Sequence, residues 1–126
     1  MRTPLETATL WMNAMNDHDL SAMTSLYAEN VVGLEVADPP EHNKEALIAS
    51  YKDLFSAYPD CRAETLNAFE GADQAVIEIR WTGTNTGPFR GAPPTQAVSD
   101  VRIAYIFRVA GDKIAGITEY YDTAQV

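Results

Sequence analysis

The sequence predicts an α+β fold in which three N-terminal helices pack on one face of a curved antiparallel β-sheet and enclose a pocket. Three observations carry this. Apolar residues recur at helical spacing as far as Pro59, the spacing changes to alternation after it, and the alternating runs are joined by turn-forming segments. At 126 residues the chain has the length of one domain, so residues 1–126 are expected to form a single unit.

The first helix opens at Thr3-Pro4-Leu5-Glu6, which supplies an N-cap, a proline at the first helical position and a Glu three residues after the cap. Leu10, Trp11, Ala14 and Met15 follow at helical spacing. Asn16-Asp17-His18-Asp19 breaks that pattern with residues that favour turns, and Asp19 caps a short second helix whose face is Leu20, Met23, Leu26 and Tyr27. Val31 to Val36 is β-branched and apolar, so it reads as a strand running into the loop Ala37-Asp38-Pro39-Pro40. From Asn43, the residues Leu47, Tyr51, Leu54, Phe55 and Tyr58 mark a third helix that Pro59 stops. Strands are then expected at Arg62–Glu70, Ala75–Thr84, Val98–Val109 and Lys113–Asp122. Gly71-Ala72-Asp73, the Gly/Thr/Pro-rich stretch 85–96 and Gly111-Asp112 are the turns between them. On the last strand the alternation is read with Thr118, Tyr120 and Asp122 towards the pocket and Ile117, Glu119 and Tyr121 away from it.

The net charge of −9 opposes nucleic-acid phosphates and anionic membrane surfaces, so neither is an expected partner. No run approaches the roughly 18 apolar residues of a membrane span, and the N-terminus lacks the apolar stretch of a secretory signal. A lone Cys61 fits a reducing compartment, and a cytoplasmic location is expected. His18 and His42 are isolated and make a poor metal site, so no metal and no organic cofactor is expected.

The order of elements, with Asn16-Asp17-His18-Asp19-Leu20, Leu26-Tyr27-Ala28-Glu29-Asn30-Val31 and Tyr58-Pro59-Asp60, resembles the NTF2-like superfamily over nearly the whole chain. The run from Arg80 to Thr95, and Gly111-Asp112-Lys113-Ile114 leading to Tyr120-Tyr121-Asp122, are similar to its SnoaL-like branch of polyketide cyclases. Gln96 stands where that branch's run usually ends in glycine. The resemblance implies a cone-shaped pocket that takes a small hydrophobic ligand, and a homodimer formed through the outer sheet face. Glu78, Arg80, Arg102, Ile106, Arg108, Ile117 and Tyr121 are read onto that face.

Asp122 then matches the general acid/base of an intramolecular aldol closure, and burial in an apolar cavity would raise its pKa to suit. The alternative is a carboxylate that caps the strand end or pairs with an arginine. Glu35 falls where ketosteroid isomerases carry their general base, with a salt bridge at the rim as the other reading. Trp11 and Tyr105 occupy the places of that family's oxyanion donors. Tyr105 can still donate to a carbonyl or enolate, or it is a core tyrosine. The limonene-type epoxide hydrolases share the ending Glu119-Tyr120-Tyr121-Asp122, yet their Arg-x-Asp pair reads Arg80-Trp81-Thr82 here. Pocket walls are expected from Trp11, Tyr27, Tyr51, Phe55, Trp81, Thr118 and Tyr120. Three functions remain open: a cofactor-independent cyclase or isomerase, a non-catalytic binding module, and, more weakly, the epoxide hydrolase.

Overall fold

The computed structural model describes residues 1–125 as helices α1 (Pro4–Asn16), α2 (Leu20–Leu26) and α3 (Lys44–Ala57), and strands β1 (Tyr27–Glu35), β2 (Arg62–Glu70), β3 (Gln74–Thr84), β4 (Val98–Ala110) and β5 (Lys113–Tyr121). A 3-10 turn, Thr123–Gln125, follows β5. Local chemistry sets the helix starts. Thr3 and Glu6 form the reciprocal capping box, while the side chains of Asp19 and Asn43 accept from the Ala22 and Ala46 amides to start α2 and α3.

The strands form one five-stranded sheet in the order β1-β5-β4-β3-β2. Strands β2 to β5 form an antiparallel meander, as their turns require. The expectation of a wholly antiparallel sheet is corrected at β1, which lies parallel to β5. No hairpin joins those two strands. The chain leaves β1 through residues 36–43 and crosses back as α3, so turn geometry does not impose antiparallel pairing. The sheet curves around the helices, with register shifts in the β2/β3, β4/β5 and β1/β5 ladders that bend it locally.

The helices cover one sheet face. Trp11 on α1 is fully buried there, with its ring 5.4 Å from Phe107, 5.5 Å from Tyr105 and 5.3 Å from Tyr51. Its indole N–H donates to the Tyr27 hydroxyl at 3.1 Å, which satisfies two polar atoms inside the core. The opposite sheet face carries Arg80, whose guanidinium grips Asp100 at 2.9 and 2.6 Å. Gln96 has φ of 64°, a left-handed conformation that glycine adopts without strain.

Segment 85–97 folds over the open end of the helix layer and is organised by Asn85. That buried side chain accepts from the Thr95 amide at 2.8 Å and donates to the carbonyls of Gly87 at 2.9 Å and Ala57 at 3.4 Å. Gly87 then passes so close to α3 that a Cβ would stand 2.6 Å from the Ser56 carbonyl oxygen. The segment is thereby tied to the end of α3, with Phe89 and Arg90 held at its tip.

Candidate functional site

The inward face of β5 is fixed by its register with β4. Ile117 pairs with Phe107, Glu119 with Tyr105 and Tyr121 with Ile103. Since Ile103, Tyr105 and Phe107 are buried under the helices, Ile117, Glu119 and Tyr121 face the same way. Thr118 and Tyr120 pair with Ile106 and Ala104 on the outer face, so the expected alternation of this strand is reversed. A bulge explains the reversal. Pairing jumps from Arg108–Gly116 to Val109–Ile114, leaving Ala115 as the extra residue. Ile114 and Ile117 are both buried although three residues apart, a spacing that regular alternation cannot provide. That spacing is the sequence signal that locates Glu119 and Tyr121 inside.

Asp122 lies beyond the strand. It is exposed, and its Oδ1 accepts the Ala124 amide at 2.9 Å, so the carboxylate caps the 3-10 turn and does not line the cavity. Arg80 pairs with Asp100 on the outer sheet face. Of the expected walls, Tyr51 and Trp81 do line the cavity. Trp11 and Tyr27 belong to the core beneath it, and Phe55 stacks on the His18 ring at 4.4 Å. His18 in turn sits 3.0 Å from the Cys61 carbonyl and 3.3 Å from its sulfur. Burial pushes that thiol up to about 11, which suits a packing cysteine and not a nucleophile.

Glu35 and Tyr105 are brought together, through Glu119. Glu35 is the register partner of Glu119 across β1/β5, and Glu119 is that of Tyr105 across β5/β4. The three side chains form one row across adjacent strands, with backbones about 5 Å apart at each step. Tyr51 reaches this row from α3, and its hydroxyl donates to Glu119 Oε1 at 2.6 Å. Desolvation, reinforced by the neighbouring charge of Glu35, pushes the Glu119 carboxyl up to about 7; the Tyr51 hydrogen bond and Arg90 act the other way. Burial likewise raises the hydroxyls of Tyr51 and Tyr105, with the Glu119 charge adding to it, so both remain donors.

At the mouth, Arg90 binds Glu35 at 3.2 Å and Asp38 through its other terminal nitrogen, while its amide donates to Asp53 at 3.2 Å. The Tyr121 hydroxyl donates to the second oxygen of Glu35 at 3.0 Å. Glu35 is therefore an oriented, ion-paired carboxylate beside a buried carboxyl whose proton affinity is raised. Trp81, Tyr58 and Phe89 close the far wall, and the cavity between measures about 150 Å³. Sequence reasoning missed Glu119, Tyr121, Phe89, Arg90 and Tyr58. For Phe89 and Arg90 no periodicity existed to read, because they sit in a loop whose path is dictated by Asn85 and Gly87.

Among the described residues, no three His, Cys, Asp or Glu side chains converge as metal ligands. Nor is any helix long and apolar enough to cross a membrane. The sequence pattern of the SnoaL-like domain matches residues 8–117. A candidate SnoaL-like polyketide cyclase from Jannaschia sp. CCS1 superposes with a TM-score of 0.85 at 21% identity, covering 98% of this chain and 92% of that one. IdmH, a candidate polyketide cyclase from Streptomyces antibioticus, gives 0.83 at 21%, covering 98% and 95%. A protein of ketosteroid isomerase-like fold from Catenulispora acidiphila DSM 44928 gives 0.79 at 21%, covering 99% and 91%. At these identities the likeness is one of fold. Among curated proteins none matches the chain in sequence.

Proposed function

We propose, from the premise that this chain belongs to the SnoaL-like domain family, that it is a cofactor-independent acid/base enzyme moving protons next to the carbonyl group of a hydrophobic compound. The observation that carries the reading is the row Glu35–Glu119–Tyr105, in which two carboxyl groups share one cavity, one ion-paired at the mouth and the other buried with its proton affinity raised. Such a split assigns roles. Glu119, protonated up to about pH 7, holds Tyr51 on one oxygen and presents the other as a donor into the cavity. Tyr105 is the second donor on the same face. Glu35, aimed by Arg90 and Tyr121, is the base.

A ketone placed with its oxygen between Glu119 and Tyr105 presents its α-carbon to Glu35. The carboxylate takes the α-proton, the C–H electron pair becomes the enolate π-bond, and the charge gathering on oxygen is met by the two donors. The proton then returns from Glu35 to carbon, or the enolate carbon attacks a second carbonyl of the same molecule and the resulting alkoxide takes that proton from Glu35. The first outcome is isomerisation or exchange, the second an aldol closure. This chemistry resembles that of the ketosteroid isomerases, whose protonated-acid oxyanion hole is a known pattern, with Tyr105 at one of that family's donor places and the protonated acid moved to Glu119.

Exchange of α-hydrogen for deuterium in a small ketone tests the assignment. Glu119→Gln and Glu35→Gln are each expected to slow exchange by about 100-fold or more, whereas Asp122→Asn leaves it within about twofold, as for an exposed site away from the chemistry. Activity should be highest below about pH 7 and fall as Glu119 loses its proton above it. Loss of exchange in Asp122→Asn with normal rates in Glu119→Gln would overturn the assignment.

A further inference from the structure

The walls of the cavity say more than its acid groups. The Tyr58 ring stands edge-on between Trp81 at 5.1 Å and Phe89 at 5.6 Å, and the Arg90 guanidinium covers Phe89 at 4.9 Å from its centroid. Tyr58 and Trp81 are packed so tightly over Gly83 that a Cβ there would approach both rings within 3.2 Å. This wall cannot retreat without moving the backbone. The cavity, open at its mouth, has a volume of about 150 Å³, about that of an apolar cavity that admits benzene and roughly half the lower limit for pockets that hold drug-sized molecules.

The mouth selects by charge. The Arg90 guanidinium binds Glu35 and Asp38 and its backbone amide binds Asp53, so three carboxylates gather around one cation, on a chain whose net charge is −9. An anionic substituent entering there meets excess negative charge at close range. A cationic one meets Arg90 already in place between the carboxylates.

We propose that the site takes a neutral, enolisable carbonyl compound of single-ring size, and that Phe89 and Trp81 set the limit. The inference rests on the acid/base reading of the cavity for its carbonyl, and on the wall and mouth for its size and charge. Multi-ring substrates are excluded from the buried end, although the fold's relatives include candidate polyketide cyclases.

NMR titration of the Trp81 indole with three methyl ketones tests this: acetophenone, its anionic counterpart 4-acetylbenzoate, and the three-ring 2-acetylanthracene. Deuterium exchange of each methyl group is followed in parallel. Acetophenone is expected to bind at least about tenfold more tightly than either of the others, the scale at which pocket shape discriminates. Phe89→Ala, a change in a partly buried loop, should improve binding of the three-ring ketone about tenfold and leave acetophenone within about threefold. Equal affinity of the parent protein for one-ring and three-ring ketones overturns the inference, as does equal affinity for acetophenone and its carboxylate. Size selection without exchange leaves the inference standing and overturns the acid/base reading. Exchange of the three-ring ketone as fast as acetophenone does the reverse, and failure of every ketone to bind overturns both.

Discussion

At the scale of single residues, the protein turns on how Glu119 is held. Its two neighbours pull in opposite directions, Glu35 raising its affinity for a proton and the Tyr51 hydroxyl lowering it. Glu35→Gln should therefore move the Glu119 titration below about 7 and Tyr51→Phe above it, both read from the carboxyl carbon resonance by NMR. Movement in the same direction would contradict the row geometry. The same group governs stability. Its folded value of about 7 exceeds its ordinary 4.5, so the stabilisation it gives is complete below about 4.5 and is lost as pH rises through 7. Glu119→Gln, which cannot ionise, should gain on the parent by about 3 kcal/mol between pH 4.5 and 9 in urea unfolding.

At the scale of elements, the helices were legible because each start carries its own chemistry: Thr3 with Glu6, Asp19, and Asn43. Strands β3 and β4 were legible because Ile77, Ile79 and Trp81, and Val101 to Val109, alternate cleanly. What failed was the face of β5. A single extra residue at Ala115 reverses every side chain beyond it, and the polar Glu119 on the inner face hides the error because a charged residue there reads as an outward one. Glu35 and Tyr105 were legible as candidates, Asp122 was drawn from the resemblance and lies outside the cavity, and the loop residues gave no pattern to follow. That loop depends on one side chain. Asn85→Ala strands the Gly87 carbonyl and the Thr95 amide, and is expected to cost about 1–3 kcal/mol in urea unfolding. It should also release Phe89 and Arg90 from the cavity mouth, seen as resonance broadening at both.

Across the whole molecule, the cavity is a product of topology. Four strands in a meander could form a sheet alone, but β1 enters from before α3 and adds Glu35 to a row that the meander ends with Glu119. The strand that brings Glu35 to the row is thus also an edge strand, held along its open side only by the pair of backbone bonds between Gly33 and His42. Its last rung is the Val36 amide, which donates to the Glu119 carbonyl at 3.0 Å, one residue past Glu35. When Glu119 gives up its proton, two like charges face each other across that final rung. The edge then has reason to breathe, and the Val36 amide should exchange with solvent faster above about pH 7 than its intrinsic rate explains, while the β3/β4 amides do not. A proton on one side chain would in this way be written into the opening and closing of the backbone beside it, so that the protein's readiness to react could be followed without any substrate present.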